Sequence, residues 1–449
     1  MRKFPHRPRW AVLLVALALV LSACRDTGGG TATDDGTETA GATEGATAGG
    51  GEVQTDVGVT EEACPNAVNS DNGCIYLGII SDLTEGPFAA LAVPITDAQK
   101  AFWKRVNEEG GIGGYDVDVE SYIKDNKYNP EVHNQVYQEI KPEVLALAQT
   151  LGSPTTAAII EDLKAENIVA APASWTSAWE FEEVILESGT NYCIESMNAI
   201  DHAQRNISED ISVMAVGLPG DYGGDAAKGA EVAAEELGLD FSSVETTPGP
   251  ENQAEAVGQI VQNNPDIVIL TTAPTDAAAV IGGAAAEGYQ GKFYGTSPTW
   301  NPALLESPAA DAIKALYLQT APWEPFGTDT PGHEAMREAI GDVEPNDGYT
   351  SGWVWSYPLK AALEAAAEAG DLTRAGIAQA ASELETVDYE GMLPEEAGRF
   401  GGDPSETVYR EIVVAEPDEN EPTGVKVIEE FFASDVAQNY EMSGPCFTG

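Results

Sequence analysis

From Ile75 onward, short apolar runs alternate with amphipathic stretches, and they do so in two successive series. In the first, "IYLGIIS" reads as a buried strand. Ile95 to Glu108 reads as a helix with Ala98, Phe102 and Val106 on one face, closed by Gly110-Gly111, and "YDVDVESYI" reads as a second strand. A helix from Pro130, strand "VLALAQT", helix "TTAAIIEDLKAE" and strand "IVAAPAS" follow. The second series begins near Ser212 with strand "SVMAVGL". It continues with a helix from Asp225 to Glu236, strand "DIVILTT", a helix from Asp276 to Glu287 and strand "KFYGTS". Parallel neighbours need crossover connections, so two such series predict an α/β chain with two parallel sheets covered by helices. After Asp371, "REIVVAEPDENEPTGVKVIEEFF" predicts a two-stranded hairpin.

The N-terminus has the layout of an export signal: Arg2, Lys3, Arg7 and Arg9, then an apolar run from Trp10 to Leu21, then Ser22-Ala23. The run is too short to span a bilayer unaided. Its ending, Leu21-Ser22-Ala23-Cys24, resembles the lipobox of bacterial lipoproteins, which implies cleavage before Cys24 and lipidation of that residue. Cys24 is thus expected to anchor the protein to the outer face of the bacterial cell membrane, outside the cytoplasm. Residues 25–57 are nearly all Gly, Thr, Ala, Asp and Glu, without an aromatic side chain, and read as a flexible linker, with the folded part starting near Gly58.

Removing the signal leaves 18 of the 22 Lys and Arg against 74 Asp and Glu, a net charge of about −56. That field repels nucleic acid, so nucleic-acid binding is excluded, and the acidity reads as a solvated surface or as adaptation to high external salt. Four cysteines remain beyond the anchor: Cys64, Cys74, Cys193 and Cys446. Export permits two disulfides with three connectivities. Cys64 with Cys74 closes the shortest loop, and Cys193 with Cys446 would then tie the C-terminus to the middle of the chain. No Cys-x-x-Cys pair or His-Cys cluster is present, so no metal or other cofactor is expected.

Ligands of open α/β sheets sit beyond the carboxyl ends of the strands. The loops there are "DLTEGPFAAL", "LGSPTT", "APASWTSAW", "LPGDYGGD", "TTAPTD" and "YGTSPTWNP". They offer hydroxyls, tight turns and aromatic faces but no phosphate-cradling lysine, which suits a small molecule held by hydrogen bonds and stacking. Trp175, Trp179, Trp300 and Trp323 belong to or adjoin such loops, whereas Trp353 and Trp355 open the helix leading to "LKAALEAAAEAG" and are expected in the core.

"NEEGGIGGYDVDVESYIKDNKYNPEVH" and "VMAVGLPGDYGGDAAKGA" resemble the first-lobe and second-lobe openings of the type I periplasmic binding proteins, the Leu/Ile/Val-binding group that feeds ABC importers. The resemblance spans about Ile75 to Asp371. It implies two Rossmann-like lobes joined by a three-strand hinge, with 58–197 and 325–405 in lobe 1 and 198–324 and 406–449 in lobe 2. It also implies a monomer that traps a small-molecule solute between the lobes and delivers it to permease and ATPase subunits. Carried over residue by residue, it assigns ligand contacts to Leu91, Ser153, Thr155, Ala173, Trp175 and Tyr222; Ser174, beside Trp175 in the same loop, and the loop tryptophan Trp300 are expected to line the site with them. The family's acidic partner for a ligand amine falls near Ser297, where no carboxylate stands. Asp221 or Asp276 would have to substitute, and an α-amino acid ligand is thereby put in doubt.

Catalysis finds no support. His133, His202 and His333 stand alone and are expected at the surface or at caps, and neither a Gly-x-Ser-x-Gly elbow nor a His-Glu-x-x-His pair occurs. "SYIK" at Ser121 to Lys124 lies in a strand pattern, whereas the Ser-x-x-Lys enzymes need it at a helix start. The sequence therefore predicts a non-enzymatic solute-binding lipoprotein for an amino acid, amide or related compound. A ligand-sensing domain for a membrane receptor is the alternative with the same fold, and an anchored hydrolase is disfavoured.

Overall fold

The computed structural model describes residues 53–448, so the export signal, Cys24 and most of the 25–57 linker lie outside the described residues. Regular structure starts a little before Gly58, where Gln54–Thr55 pairs in parallel with Asp371–Leu372.

The first sheet is built on strand Gly73–Ser81, nearly all of it buried. It pairs in parallel with Tyr115–Asp118, Ile123–Asp125 and Ala146–Leu151, and antiparallel with Val59–Thr60; Ala146–Leu151 in turn pairs in parallel with Ala170–Ala173. "YDVDVESYI" is thus two short strands rather than one. The Asp118 carboxylate accepts from Ser121 N at 2.8 Å and turns the chain between them. The helix expected over 155–166 is likewise divided, into Ser153–Ala157 and Ile160–Glu166. The Thr156 hydroxyl donates to Thr150 O at 3.1 Å and binds the first piece to the strand end. The helix expected from Ile95 begins at Ala89 and carries Pro94 inside it.

The second sheet has seven strands, ordered Val425–Phe432, Ile412–Pro417, Tyr317–Ala321, Lys292–Thr296, Ile267–Thr271, Val213–Gly217 and Phe241–Glu245. The first three neighbours pair antiparallel, giving the expected hairpin; the remaining pairs are parallel. Helices Tyr192–Asn206 and Asp221–Leu237 pack together on the second sheet, and Tyr192–Asn206 touches four of its strands. The chain passes between the sheets three times, after Ala173, after Ala321 and ahead of Ile412. Cys64 is bonded to Cys74 and Cys193 to Cys446.

His133 and His202, expected at the surface or at caps, are buried instead. His133 lies between Asn126 Nδ2 and the Thr150 hydroxyl, at 3.0 and 3.1 Å, and His202 Nδ1 meets the Tyr294 hydroxyl at 2.8 Å. His333 is also buried, in the capped end of helix Pro331–Ile340, where Nδ1 meets the Thr330 hydroxyl at 2.8 Å. Burial pushes the His133 imidazole down to about 3, so it is a neutral structural group.

Candidate functional site

Between the two sheets, beyond the carboxyl ends of their parallel strands, lies a cavity lined by residues of both lobes. Gly152, at the end of strand Ala146–Leu151, makes the first turn into it with φ +95°. A Cβ there would lie 2.7 Å from the Thr155 hydroxyl and from the Tyr128 ring, so only glycine fits. The turn delivers Ser153 to the wall with its hydroxyl buried and without a hydrogen-bond partner.

The next loop supplies Ala173, Ser174 and Trp175. Trp175 packs against Tyr192, Trp323 and Trp355 with centroids 4.9, 5.2 and 5.7 Å away. From the second lobe, Tyr222 presents its ring, 4.8 Å from Tyr192, while its hydroxyl meets Thr296 Oγ1 at 2.7 Å. Trp300 stacks on Tyr317 at 5.4 Å and donates from Nε1 to Thr423 O at 2.9 Å. Phe88, Leu91, Ile95 and Tyr128 complete the first-lobe wall, with Phe88 and Tyr128 centroids 4.7 Å apart.

A third wall comes from helix Asp347–Val354. Gly348 and Gly352 lie against helix Ala89–Glu108 so closely that a Cβ would stand 2.7 Å from Leu91 O and 2.2 Å from Ile95 O. This contact brings Asn346, Asp347, Ser351 and, just beyond, Trp355 to the cavity. Trp353 is core, as expected, but Trp355 lines the cavity and its buried Nε1 has no partner. Asp347 accepts from Phe326 N at 2.8 Å, and burial pushes its carboxyl up to about 6. Among the described residues that line the cavity there is no Lys, Arg or His.

Eight of the ten residues singled out from the sequence, Leu91, Ser153, Ala173, Ser174, Trp175, Tyr222, Ser297 and Trp300, thus meet in one cavity. Thr155 and Asp276 do not line it. Thr155 turns its hydroxyl back to Leu151 O and to Gly152 O, the latter at 2.9 Å, and so shapes the turn. Asp276 accepts from Gly249 N at 3.1 Å and holds the loop after strand Phe241–Glu245. Tyr128 was missed, although its place just past strand Ile123–Asp125 could have pointed to it, whereas Tyr192 and Asp347 arrive through the lobe crossings, for which no local pattern exists.

Among the described residues, no group of three or more His, Cys, Asp or Glu is placed to hold a metal ion, and no helix is long and apolar enough to cross a membrane. The arrangement can enclose a small molecule within rings and offer it a few hydrogen bonds.

The family model of the periplasmic binding proteins matches residues 75–419. A fatty acid ABC transporter substrate-binding protein from Thermomonospora curvata shares 27% identity, covering 87% of this chain and 98% of its own, with a TM-score of 0.78. Two further structures share the fold at 17% identity: a branched-chain amino acid ABC transporter protein from Thermus thermophilus with bound valine and a leucine-binding protein from Thermotoga maritima. The first covers 82% of this chain and 98% of its own with a TM-score of 0.69, the second 80% and 99% with 0.65. No curated protein sequence matches the chain. With its two hinged sheets, the cavity between them and a family match over most of its length, the chain belongs to the type I periplasmic binding proteins, the substrate-binding proteins of ABC transporters.

Proposed function

We propose that the protein is a lipid-anchored, monomeric, extracytoplasmic binding protein that captures a mainly apolar small solute with one polar end and hands it to an ABC permease and its ATPase. Leu91, Trp175, Tyr222 and Trp300 enclose the apolar part, and Ser153, Ala173, Ser174 and Ser297 lie where the polar end is bound. The observation that carries this reading is a wall made of rings and aliphatic side chains from both lobes, in which Ser153 Oγ and Trp355 Nε1 are buried without protein partners. Both can donate a hydrogen bond, so the complementary ligand brings an acceptor oxygen, as a carboxylate, amide or ester does. The Thermomonospora curvata relative, named for fatty acids, supports an apolar ligand class. Residues from both lobes meet the ligand only when the lobes are closed, so binding energy shifts the molecule toward closure.

Thermal-shift measurements against straight-chain acids of increasing length, phenylacetate, their amides, valine and leucine test this. Affinity is expected to rise by about 0.8 kcal/mol per buried methylene along the acid series. Stabilisation by small polar solutes alone, or by none of the series, would overturn the reading.

A further inference from the structure

The loop that carries Ser174 and Trp175 into the cavity leaves the first sheet after Ala173, yet it is fastened by carboxylates belonging to helices packed on the second sheet. Glu195, on helix Tyr192–Asn206, is fully buried. Its Oε2 accepts from Trp175 Nε1 at 3.0 Å and its Oε1 accepts from the Thr320 hydroxyl at 2.5 Å. Two residues further along the loop, Asp225 accepts from Ser177 N at 2.9 Å and from the Ser177 hydroxyl. Each carboxylate therefore spans the boundary between the lobes, and each is covered by the loop it holds.

We infer that Glu195 is a positioning residue of the solute site: it holds the Trp175 ring against the second lobe in the closed molecule, and closing the lobes over solute takes up a proton at this carboxyl. The inference rests on the cavity being the solute site.

The hydrogen-bond network accommodates that proton. A neutral Glu195 still accepts from Trp175 at Oε2 and donates from Oε1 to Thr320, whose own hydroxyl turns to Gly295 O, 3.4 Å away. Burial pushes the Glu195 carboxyl up to about 7. The titratable groups that sense its charge are tyrosines: Tyr192 on its own helix, Tyr222 on the neighbouring helix and Tyr317 on the sheet beneath. Asp225 is also pushed up to about 7 by burial. Around it stand Asp221 and Lys228 of its own helix, Glu180 and Glu187 of the first crossing and Tyr440 of the C-terminal stretch. Lys228 is paired with Glu231 at 2.6 Å, and Arg410 acts on Glu180.

The direction follows from linkage. A carboxyl that titrates near 7 when covered, and in the ordinary range when solvated, favours the covered state at low pH. That preference is lost as pH rises through 7. Solute affinity is therefore expected to be roughly tenfold higher at about pH 6 than at about pH 8 on account of Glu195 alone.

The test uses octanoate and uncharged 1-octanol as probes, neither of which changes ionisation appreciably over that range. The Glu195→Gln variant copies the neutral acid: it keeps an acceptor for Trp175 and a donor for Thr320. It is expected to hold or raise affinity at about pH 8 and to remove roughly tenfold of the pH dependence. Glu195→Leu is expected to bind weakly at both pH values. Equal pH profiles for wild type and Glu195→Gln, or full affinity in Glu195→Leu, would overturn the inference. Tryptophan emission of the wild-type protein supplies a reading that needs no probe, with a step between the ordinary carboxylate range and neutral pH that is smaller in Glu195→Gln; an identical step in both would also overturn it. Failure of both probes to bind would count against the apolar solute class, while the emission comparison still decides on Glu195.

Discussion

Ser153 keeps a hydroxyl in the cavity wall that nothing in the protein satisfies, although neighbouring Thr155 and Thr156 both bond to the backbone. A buried group left in that state is costly unless a ligand completes it. Ser153→Ala is therefore expected to leave the unliganded protein at least as stable as before and to weaken solute binding about three- to tenfold, as isothermal titration calorimetry would measure. Unchanged affinity would mean that the polar end of the ligand lies elsewhere. Most residues of this wall were readable because they follow strand ends, where an α/β sheet opens. Trp355 was not, since its helical neighbourhood favours core packing, and only the placement of its helix turns the indole to the cavity. Asp347 escaped for the same reason. The structure thus supplies a carboxylate to the wall, although the position near Ser297 lacks one.

Helix Asp347–Val354 reaches the cavity because two glycines let it touch the backbone of helix Ala89–Glu108. In an isolated helix, alanine in place of glycine stabilises by about 1 kcal/mol. Here the added Cβ at position 352 would stand 2.2 Å from Ile95 O, so Gly352→Ala is expected to cost a net 1–3 kcal/mol in urea unfolding and to reduce solute affinity as well. A gain in stability would show that the two helices can separate without consequence. Strand positions were legible as continuous apolar runs, because strands of a covered parallel sheet are buried on both faces. Their interruptions were not, because they depend on single side chains, such as Asp118 and Thr156, bonding to backbone nearby.

Across the molecule, carboxyls buried at and near the lobe boundary share one direction of shift. Burial pushes Glu180, Glu195 and Asp225 up to about 7 and raises Glu187, whose two buried carboxylate oxygens have no partner. Such groups stabilise the fold fully below the ordinary carboxylate range, and that contribution is lost as pH rises through 7. Glu390 acts in the other sense, because hydrogen bonds from Arg105 hold its carboxyl down. Its contribution is present above the ordinary glutamate range and is lost as pH falls below it. Self-repulsion in a chain of net charge −52 also grows with pH. The melting temperature is therefore expected to peak near about pH 5 and to fall by several degrees toward pH 8 in scanning calorimetry. A maximum at alkaline pH would contradict the burial of these acids.

The order of apolar runs by itself determined the α/β class, the two series of parallel strands and the loops that face a ligand, because strand burial and crossover handedness act locally and leave a periodic trace. The pairing of Cys193 with Cys446, the delivery of Tyr192, Asp347 and Trp355 to the cavity and the burial of acids between the lobes were decided only by the tertiary structure. Those features join residues far apart in the chain, and what brings them together is the fit of one lobe against the other, of which no short stretch of sequence carries a record.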